Sequence, residues 1–282
     1  AISGIWIHDK ANGETFLEIS PRQHIVLACG GLGNAQILLQ PTATSKIPVG
    51  NESGLVGKYL MDHPHTKCAD LYVNKELFSK VNQNFGTSIP AYIASDKIYY
   101  DESLLACTIS IENADNTRDC TSDMQKYFEH TFNKRLVKAI GYARSEQEPQ
   151  EINSLDIIAE KNWAGLYKLR TQCAFSARDL WSIDKTTRAF AEYINERQLG
   201  VAKIDNESIY RKAHGGGHAM GTTRMGFSEK DSVCDSNGKV HSYHNLYLAG
   251  SSVFTTSGAS HPTLTIAALA LRLSDHLTKT FS

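Results

Sequence analysis

Residues 3–8 ("SGIWIH") and 15–20 ("TFLEIS") alternate apolar and polar positions on either side of "DKANGE", a run of turn formers. Alternation with period two across such a turn predicts a β-hairpin. The next segment, "HIVLACG" (24–30), is apolar without a break. That is the pattern of a strand buried on both faces, as in a parallel sheet. "GLGNAQILLQ" then switches to helical spacing, and Pro41 stops it.

From residue 66 to 212 the texture changes. Strand-like runs "CADLYVN" (68–74), "KIYY" (97–100) and "ACTISIE" (106–112) alternate with polar loops, and an amphipathic helix is predicted over "TTRAFAEYINERQ" (186–198). Beyond Ala213 the chain turns glycine-rich, then strand-like in "NLYLAGSSVF" (245–254), then helical from Pro262 to about Lys279. Leu264, Ala267, Ala268, Leu271 and Leu277 give the last helix one broad apolar face. Its apolar run, "TLTIAALALRL", is too short for a bilayer and meets Arg272 and Asp275, so a buried helix is predicted rather than a span. The layout is a sheet-and-helix lobe (1–65), an inserted α+β lobe (66–212) and a return to the first lobe (213–282).

Composition narrows the partners. With 29 basic and 30 acidic residues the net charge is -1, which gives no electrostatic reason to expect nucleic acid or an anionic membrane. Six scattered cysteines without a C-x-x-C pair predict buried free thiols and favour a reducing compartment. No secretory signal is visible. The chain opens with Ala1 in strand-like sequence, as though within a longer polypeptide.

The candidate chemistry centres on "HGGGHAMGTTRMG" (214–226). His214 and His218 are four apart, and "DHPH" adds His63 and His65, so a metal site is one reading. Three glycines between the first pair weaken the helix it needs, at roughly 1 kcal/mol each against alanine, and no glutamate stands between them to act as base. A phosphate-cradling loop is a second reading. "GGGHAMG" follows no apolar strand, whereas "CGGLGNAQ" does, although Gln36 replaces the third glycine of a dinucleotide fingerprint. There a dinucleotide turn and a tight packing turn both stay open. A third reading presents a histidine to a substrate. His261 stands just before Pro262 and Thr263, which open the last helix, and is either a projecting imidazole or a cap without chemistry.

"HAMGTTRMG" (218–226), "NLYLAGSSVF" (245–254) and "ASHPTLTIAALALRL" (259–273) together resemble the C-terminal signature of the glucose–methanol–choline (GMC) oxidoreductases. The likeness is greatest to the branch holding pyranose oxidase and bacterial sugar and polyol dehydrogenase flavoproteins. "IVLACGGLGNAQILL" resembles that family's strand and helix near FAD, "GLVGKYLMDHP" (54–64) its VG-x-x-L-x-DHP element, and "EQEP" (146–149) a phrase of its substrate lobe. The residues match at both ends of the chain. The middle matches in layout.

The resemblance implies a mixed α/β and α+β fold of two lobes. Part of an FAD-binding α/β lobe would carry a substrate lobe built on a mainly antiparallel sheet with helices. The family's opening βαβ unit, with its G-x-G-x-x-G loop, is missing, so the chain is expected to be a C-terminal portion whose N-terminal half lies in the same or a separate polypeptide. FAD is the implied cofactor. Carried over by position, the catalytic pair falls on His218, the expected base, and His261, the orienting partner, where the nearest branch usually has asparagine. Ala249, Gly250, Ser251, Pro262 and Thr263 would lie against the flavin or its ribityl chain, and Ala28, Cys29 and Gly30 nearer the nucleotide end. Gly215 to Gly217 become a flexible approach or a plain turn, and His214 a structural residue. The implied reaction oxidises a hydroxyl of a sugar, glycoside or polyol by hydride transfer to flavin N5, with oxygen, a quinone or a redox protein as electron acceptor. A non-catalytic subunit or fragment completing a partner flavoprotein, and a lyase of the same fold, remain alternatives.

Overall fold

The computed structural model describes residues 1–11, 13–42, 45–74, 91–119, 123–133 and 136–281. The predicted hairpin forms as β1 (Gly4–Asp9) and β2 (Gly13–Glu18), antiparallel with Gly4 opposite Glu18. Its Trp6 and Phe16 rings pair at 5.0 Å but stay largely exposed. The apolar run that follows becomes β3 (Ile25–Leu27), then α1 (Gly30–Leu38). β3 pairs in parallel with a strand from the far end of the chain, β12 (Leu246–Leu248). The parallel pairing agrees with the pattern. The expected burial on both faces does not, because this sheet has two strands and Val26 is 41% exposed.

The middle of the chain builds an antiparallel sheet from β4 (Pro64–Asn74), β5 (Ala91–Ile93), β6 (Cys107–Asp119), β7 (Leu136–Ser145) and β10 (Gly200–Ile204), in the order β10-β4-β7-β6-β5. Two-residue β11 (His214–Gly215) adds to β4. Between β5 and β6 lies α2 (Asp96–Asp101), which takes in the "KIYY" predicted as strand. Ser95 is extended at the N-cap without a side-chain cap bond, Asp96 places a negative charge in the first turn, and the Tyr99 hydroxyl ties the helix to the Cys107 carbonyl at 2.7 Å. A second helix, α3 (Asp123–Phe132), separates β6 from β7.

β8 (Ser154–Lys161) and β9 (Tyr167–Gln172) form a separate hairpin ahead of α4 (Ala177–Glu196). The predicted 186–198 helix is the C-terminal half of α4. It starts earlier because Ser176 and Asp179 form a reciprocal capping box. Ile183, Phe190 and Ile194 of α4 bury against Cys68, Leu71, Cys107, Ile109, Val137, Ala139 and Ala143 of the sheet. α5 (Asn206–Arg211) follows β10. A second core gathers Ala35, Leu38, Leu60, Met61, Met220, Leu246, Leu248 and Val253, with Leu155 of β8.

The chain ends in α6 (Thr263–Phe281). The buried helix expected here is not what forms: Leu273 is buried, but Leu264 is 82% and Leu271 69% exposed. Ile266 and Leu269 pack on the core, while the face that carries Leu264, Ala267, Ala268 and Leu271 is exposed among the described residues. No helix among them is long and apolar enough to cross a membrane. Cys68, Cys107 and Cys234 are buried free thiols as predicted, and burial pushes Cys68 up to about 12. Cys29 and Cys173 are exposed thiols, and Cys120 lies outside the described residues.

Candidate active site

Two glycines at the start of α1 do different work. Gly30 has φ +78, and a Cβ there would meet nothing within 4 Å. A Cβ on Gly31 would stand 1.9 Å from the Ala219 carbonyl oxygen, so no side chain fits between α1 and the segment after His218. Thr222 reinforces that approach, its hydroxyl donating to the Gly31 carbonyl. Fully buried Asn34 is the hub behind both. It accepts from the Cys29 N–H at 2.8 Å and donates to the Ala249 carbonyl and the Ser252 hydroxyl at 2.9 and 2.8 Å. Ala28, Cys29 and Gly30 are thereby held beside Ala249, Gly250 and Ser251, and Ala249 N–H bonds to the Leu27 carbonyl at 2.9 Å. The Ser251 hydroxyl donates to Ala219 at 2.8 Å.

The loop carrying His218 is fixed by a carboxylate. Asp62 Oδ1 accepts from the N–H groups of His63 and His218 at 2.7 and 2.9 Å, and Oδ2 from Gly217 at 2.9 Å. This close packing explains the glycines better than flexibility does. A Cβ on Gly215 would lie 2.5 Å from Asp62 Oδ2, and one on Gly216 2.6 Å from the His65 ring. Asp62 N–H in turn bonds to Oε1 of Gln147, the fully buried glutamine of "EQEP". Gln147 N–H bonds to the Ser257 hydroxyl at 2.9 Å, four residues before His261. One glutamine therefore joins the loops that present the two histidines.

His218 and His261 lie edge to face with ring centroids 4.9 Å apart. His63 is the residue that the sequence reading missed, having been weighed as a metal ligand alone. Its ring meets His218 at 5.2 Å and His65 at 6.3 Å. Both ring nitrogens of His63, and Nδ1 of His218, are buried without a hydrogen-bond partner among the described residues. A buried polar atom left unpaired costs free energy, so such a group points to a ligand that satisfies it. The signal in sequence was "DHP", which sets the buried His63 directly before the proline that opens β4. His214 sits aside, exposed, 3.4 Å from the Tyr142 hydroxyl. Pro262, buried, and Thr263, exposed, open α6 directly after His261, which is itself exposed. His63 and His261 line a cleft of about 450 Å³ whose other wall is the sheet.

Electrostatics keep the inner imidazoles neutral. Burial, and then the neighbouring His218, lowers the pKa of His63. Burial, and then the Arg144 guanidinium, lowers His65 from 6.5 to about 4. Between those two values the unfolded chain binds the proton and the folded one does not, so His65 takes stability away as pH falls from 6.5 toward 4. The thermal midpoint of His65→Gln is expected to drop less between about pH 7.5 and about pH 5 than that of the wild type. Equal drops in parallel denaturation scans would contradict this account of His65.

A glycine-lined helix start and a cluster of imidazoles thus face the same part of the molecule. Residues 106–270, more than half of the chain, match the family model described as GMC oxidoreductase. The chain belongs to the GMC oxidoreductase family. It is 26% identical over 97% of its length to a 2-methyl-1,2-propanediol dehydrogenase from Mycolicibacterium austroafricanum, covering 52% of that protein. It is 24% identical over 89% of its length to a fructose dehydrogenase large subunit from Gluconobacter japonicus, covering 46% of it. Among solved structures, the fold superposes on a pyridoxine 4-oxidase from Mesorbium loti with TM-score 0.64 at 13% identity, covering 99% of this chain and 55% of the oxidase. An FAD-dependent oxidoreductase from Chaetomium thermophilum gives TM-score 0.57 at 18% identity, with 98% and 58% covered. The chain thus spans about half the length of the relatives it matches.

The family and these neighbours imply FAD as cofactor. The residues present fit it. Gly30 and Gly250 both have positive φ, +78 and +102, and a Cβ on Gly250 would sit 3.7 Å from Gly30 Cα. They leave a side-chain-free gap at the start of α1, whose N-cap Cys29 makes no side-chain cap. Its free N–H groups suit electron-rich atoms of a dinucleotide. On this fit Ala28, Cys29, Gly30, Ala249, Gly250 and Ser251 would hold part of FAD, with Pro262 and Thr263 on the side of His261.

Proposed function

We propose that the chain is the C-terminal part of an FAD-dependent alcohol oxidoreductase that acts on a sugar, glycoside or polyol hydroxyl. The observation that carries this reading is the His218–His261 pair, 4.9 Å apart, with His261 lining the cleft and His63 unpartnered behind it. FAD, when bound, supplies the acceptor for the hydride of an alcohol carbon. His218 takes the hydroxyl proton as general base, a role that contributes typically ~10²–10⁴-fold. His261 hydrogen-bonds the same oxygen and orients it. Asp62 holds the backbone of the base in place through its bond to His218 N–H.

In this reading residues 1–65 and 213–282 form the cofactor side and 66–212 the substrate side, in keeping with the two cores, though β8 lends Leu155 to the first. The exposed apolar residues of α6 and of the β1–β2 hairpin are the surface on which the N-terminal half of such an enzyme packs.

The test is anaerobic mixing of the holoenzyme with a panel of sugars and polyols. Bleaching of the flavin's visible absorbance by at least one is the expected result. A flavin that stays oxidised while substrate is cleaved would establish the lyase alternative instead. A preparation that holds no flavin even with its N-terminal half supplied would reduce the chain to a non-catalytic subunit.

A further inference from the structure

The antiparallel sheet carries a polar pattern on one face that packing does not require. Period-two alternation sends Cys107 and Ile109 of β6 and Ala143 of β7 into the core under α4. It sends Thr108, Ser110 and Glu112 of β6, with Arg144 of β7, to the opposite face. The register sets Arg144 beside Thr108 on one side and His65 of β4 on the other, so three strands present polar groups in one row. His65, Thr108, Ser110 and Arg144 line the same cleft as His261, and Glu112 adjoins it through its bonds to Ser110 and Arg144.

Within it, Arg144 donates to the Ser110 hydroxyl at 2.8 Å and to Glu112 Oε1 at 2.7 Å, and Ser110 donates to the same Oε1 at 2.7 Å. The pair is more than half buried, with side chains 27% and 20% exposed. Partly burying an ion pair costs desolvation that the pair alone seldom repays. Among the described residues, the second oxygen of Glu112 and the remaining guanidinium N–H groups make no further hydrogen bond. The cluster is electrically balanced and offers fixed donors and acceptors side by side.

We propose that Arg144, Glu112 and Ser110 form a specificity subsite that binds hydroxyl groups of a neutral, polyhydroxylated substrate remote from the hydroxyl held by His218 and His261. This rests on the oxidation reading and names the residues that would select a polyhydroxylated substrate at that site. Three ligand chemistries can be compared. A hydrocarbon alcohol would strip water from the ion pair and return nothing. A carboxylate would compete with Glu112 for the arginine. A polyol supplies donor and acceptor from each hydroxyl, so neighbouring hydroxyls satisfy guanidinium and carboxylate together. A site built on such bonds also discriminates strongly against analogues that lack the hydroxyl.

The experiment measures binding without turnover. The holoenzyme, its flavin reduced anaerobically with dithionite, is titrated in a calorimeter with D-glucose and glycerol, and with their one-hydroxyl counterparts cyclohexanol and 1-propanol. At least one polyol is expected to bind ten-fold or more tightly than its counterpart. Arg144→Met should shrink that preference at least ten-fold, and Arg144→Lys should restore part of it. If Arg144→Met does not fold with wild-type flavin content, Ser110→Ala takes its place with a loss of several-fold. Polyols and simple alcohols that bind alike, no polyol binding at all, or a preference that survives these variants would overturn the subsite. Because the reduced flavin cannot accept a hydride, a polyol preference without flavin bleaching would defeat the oxidation reading alone. Bleaching without the preference would defeat the subsite alone.

Discussion

His218→Ala is expected to slow flavin reduction by an alcohol ~10²–10⁴-fold while leaving FAD bound. The loss follows from where the imidazole stands. Its backbone is fixed by Asp62, its ring lies 4.9 Å from His261, and its Nδ1 is buried without a partner. The neighbouring imidazoles are placed less well for that role: His63 is 2% exposed behind it, and the pKa of His65, lowered to about 4, makes it a weak proton acceptor. The cofactor cradle at Gly30 and Gly250 involves other residues, so flavin content should not change. His261→Asn should be much milder than His261→Ala, because an amide still hydrogen-bonds the substrate oxygen. Stopped-flow absorbance of the flavin measures all three variants.

Asp62→Ala is the second large effect. It strips the acceptor from three backbone N–H groups, those of His63, Gly217 and His218. A buried donor left unpaired costs ~1–3 kcal/mol, and with Gly217 exposed the net loss of stability is about 2–4 kcal/mol. The same change frees the base from its position, so flavin reduction should fall at least ~10-fold, as misplacement of reacting groups commonly does. Asp62→Asn keeps one acceptor oxygen and should lose less in both respects. Thermal denaturation and reduction kinetics of the two variants check this. If Asp62→Ala melts and reacts like the wild type, the carboxylate is not the clamp described.

Local pattern made some of this legible and tertiary approach hid the rest. Alternation in "SGIWIH" and "TFLEIS", and the unbroken apolar run before Gly30, were enough to read a hairpin and a parallel strand. The family resemblance, carried over by position, was enough to link His218 to His261, 43 positions further on. "KIYY" failed because four residues cannot separate a strand from one helical turn, and Asp96, which favours a helix start, lies just ahead of it. "CGGLGNAQ" left two readings open, and the structure shows the tight packing turn at Gly31. Gly30 supplies the positive φ, while Gly31 makes room for the Ala219 carbonyl, an atom 188 residues away that no local rule anticipates. Asp62 and Gln147 were quoted within motifs but carried no role. Their work is to hold backbone from distant loops, which has no sequence period. The last helix was read as buried because it is apolar, and apolarity says that a face needs a cover without saying which chain provides it.

The central claim is that His218 accepts the alcohol's proton in a GMC oxidoreductase. The pH dependence of the flavin-reduction rate constant, measured anaerobically on the wild type and on His218→Ala with one saturating polyol, tests it most directly. The wild-type rate should vary with pH, and the variant should be ~10²–10⁴-fold slower and lose that dependence. A variant that keeps the wild-type profile, at any rate, would contradict the assignment.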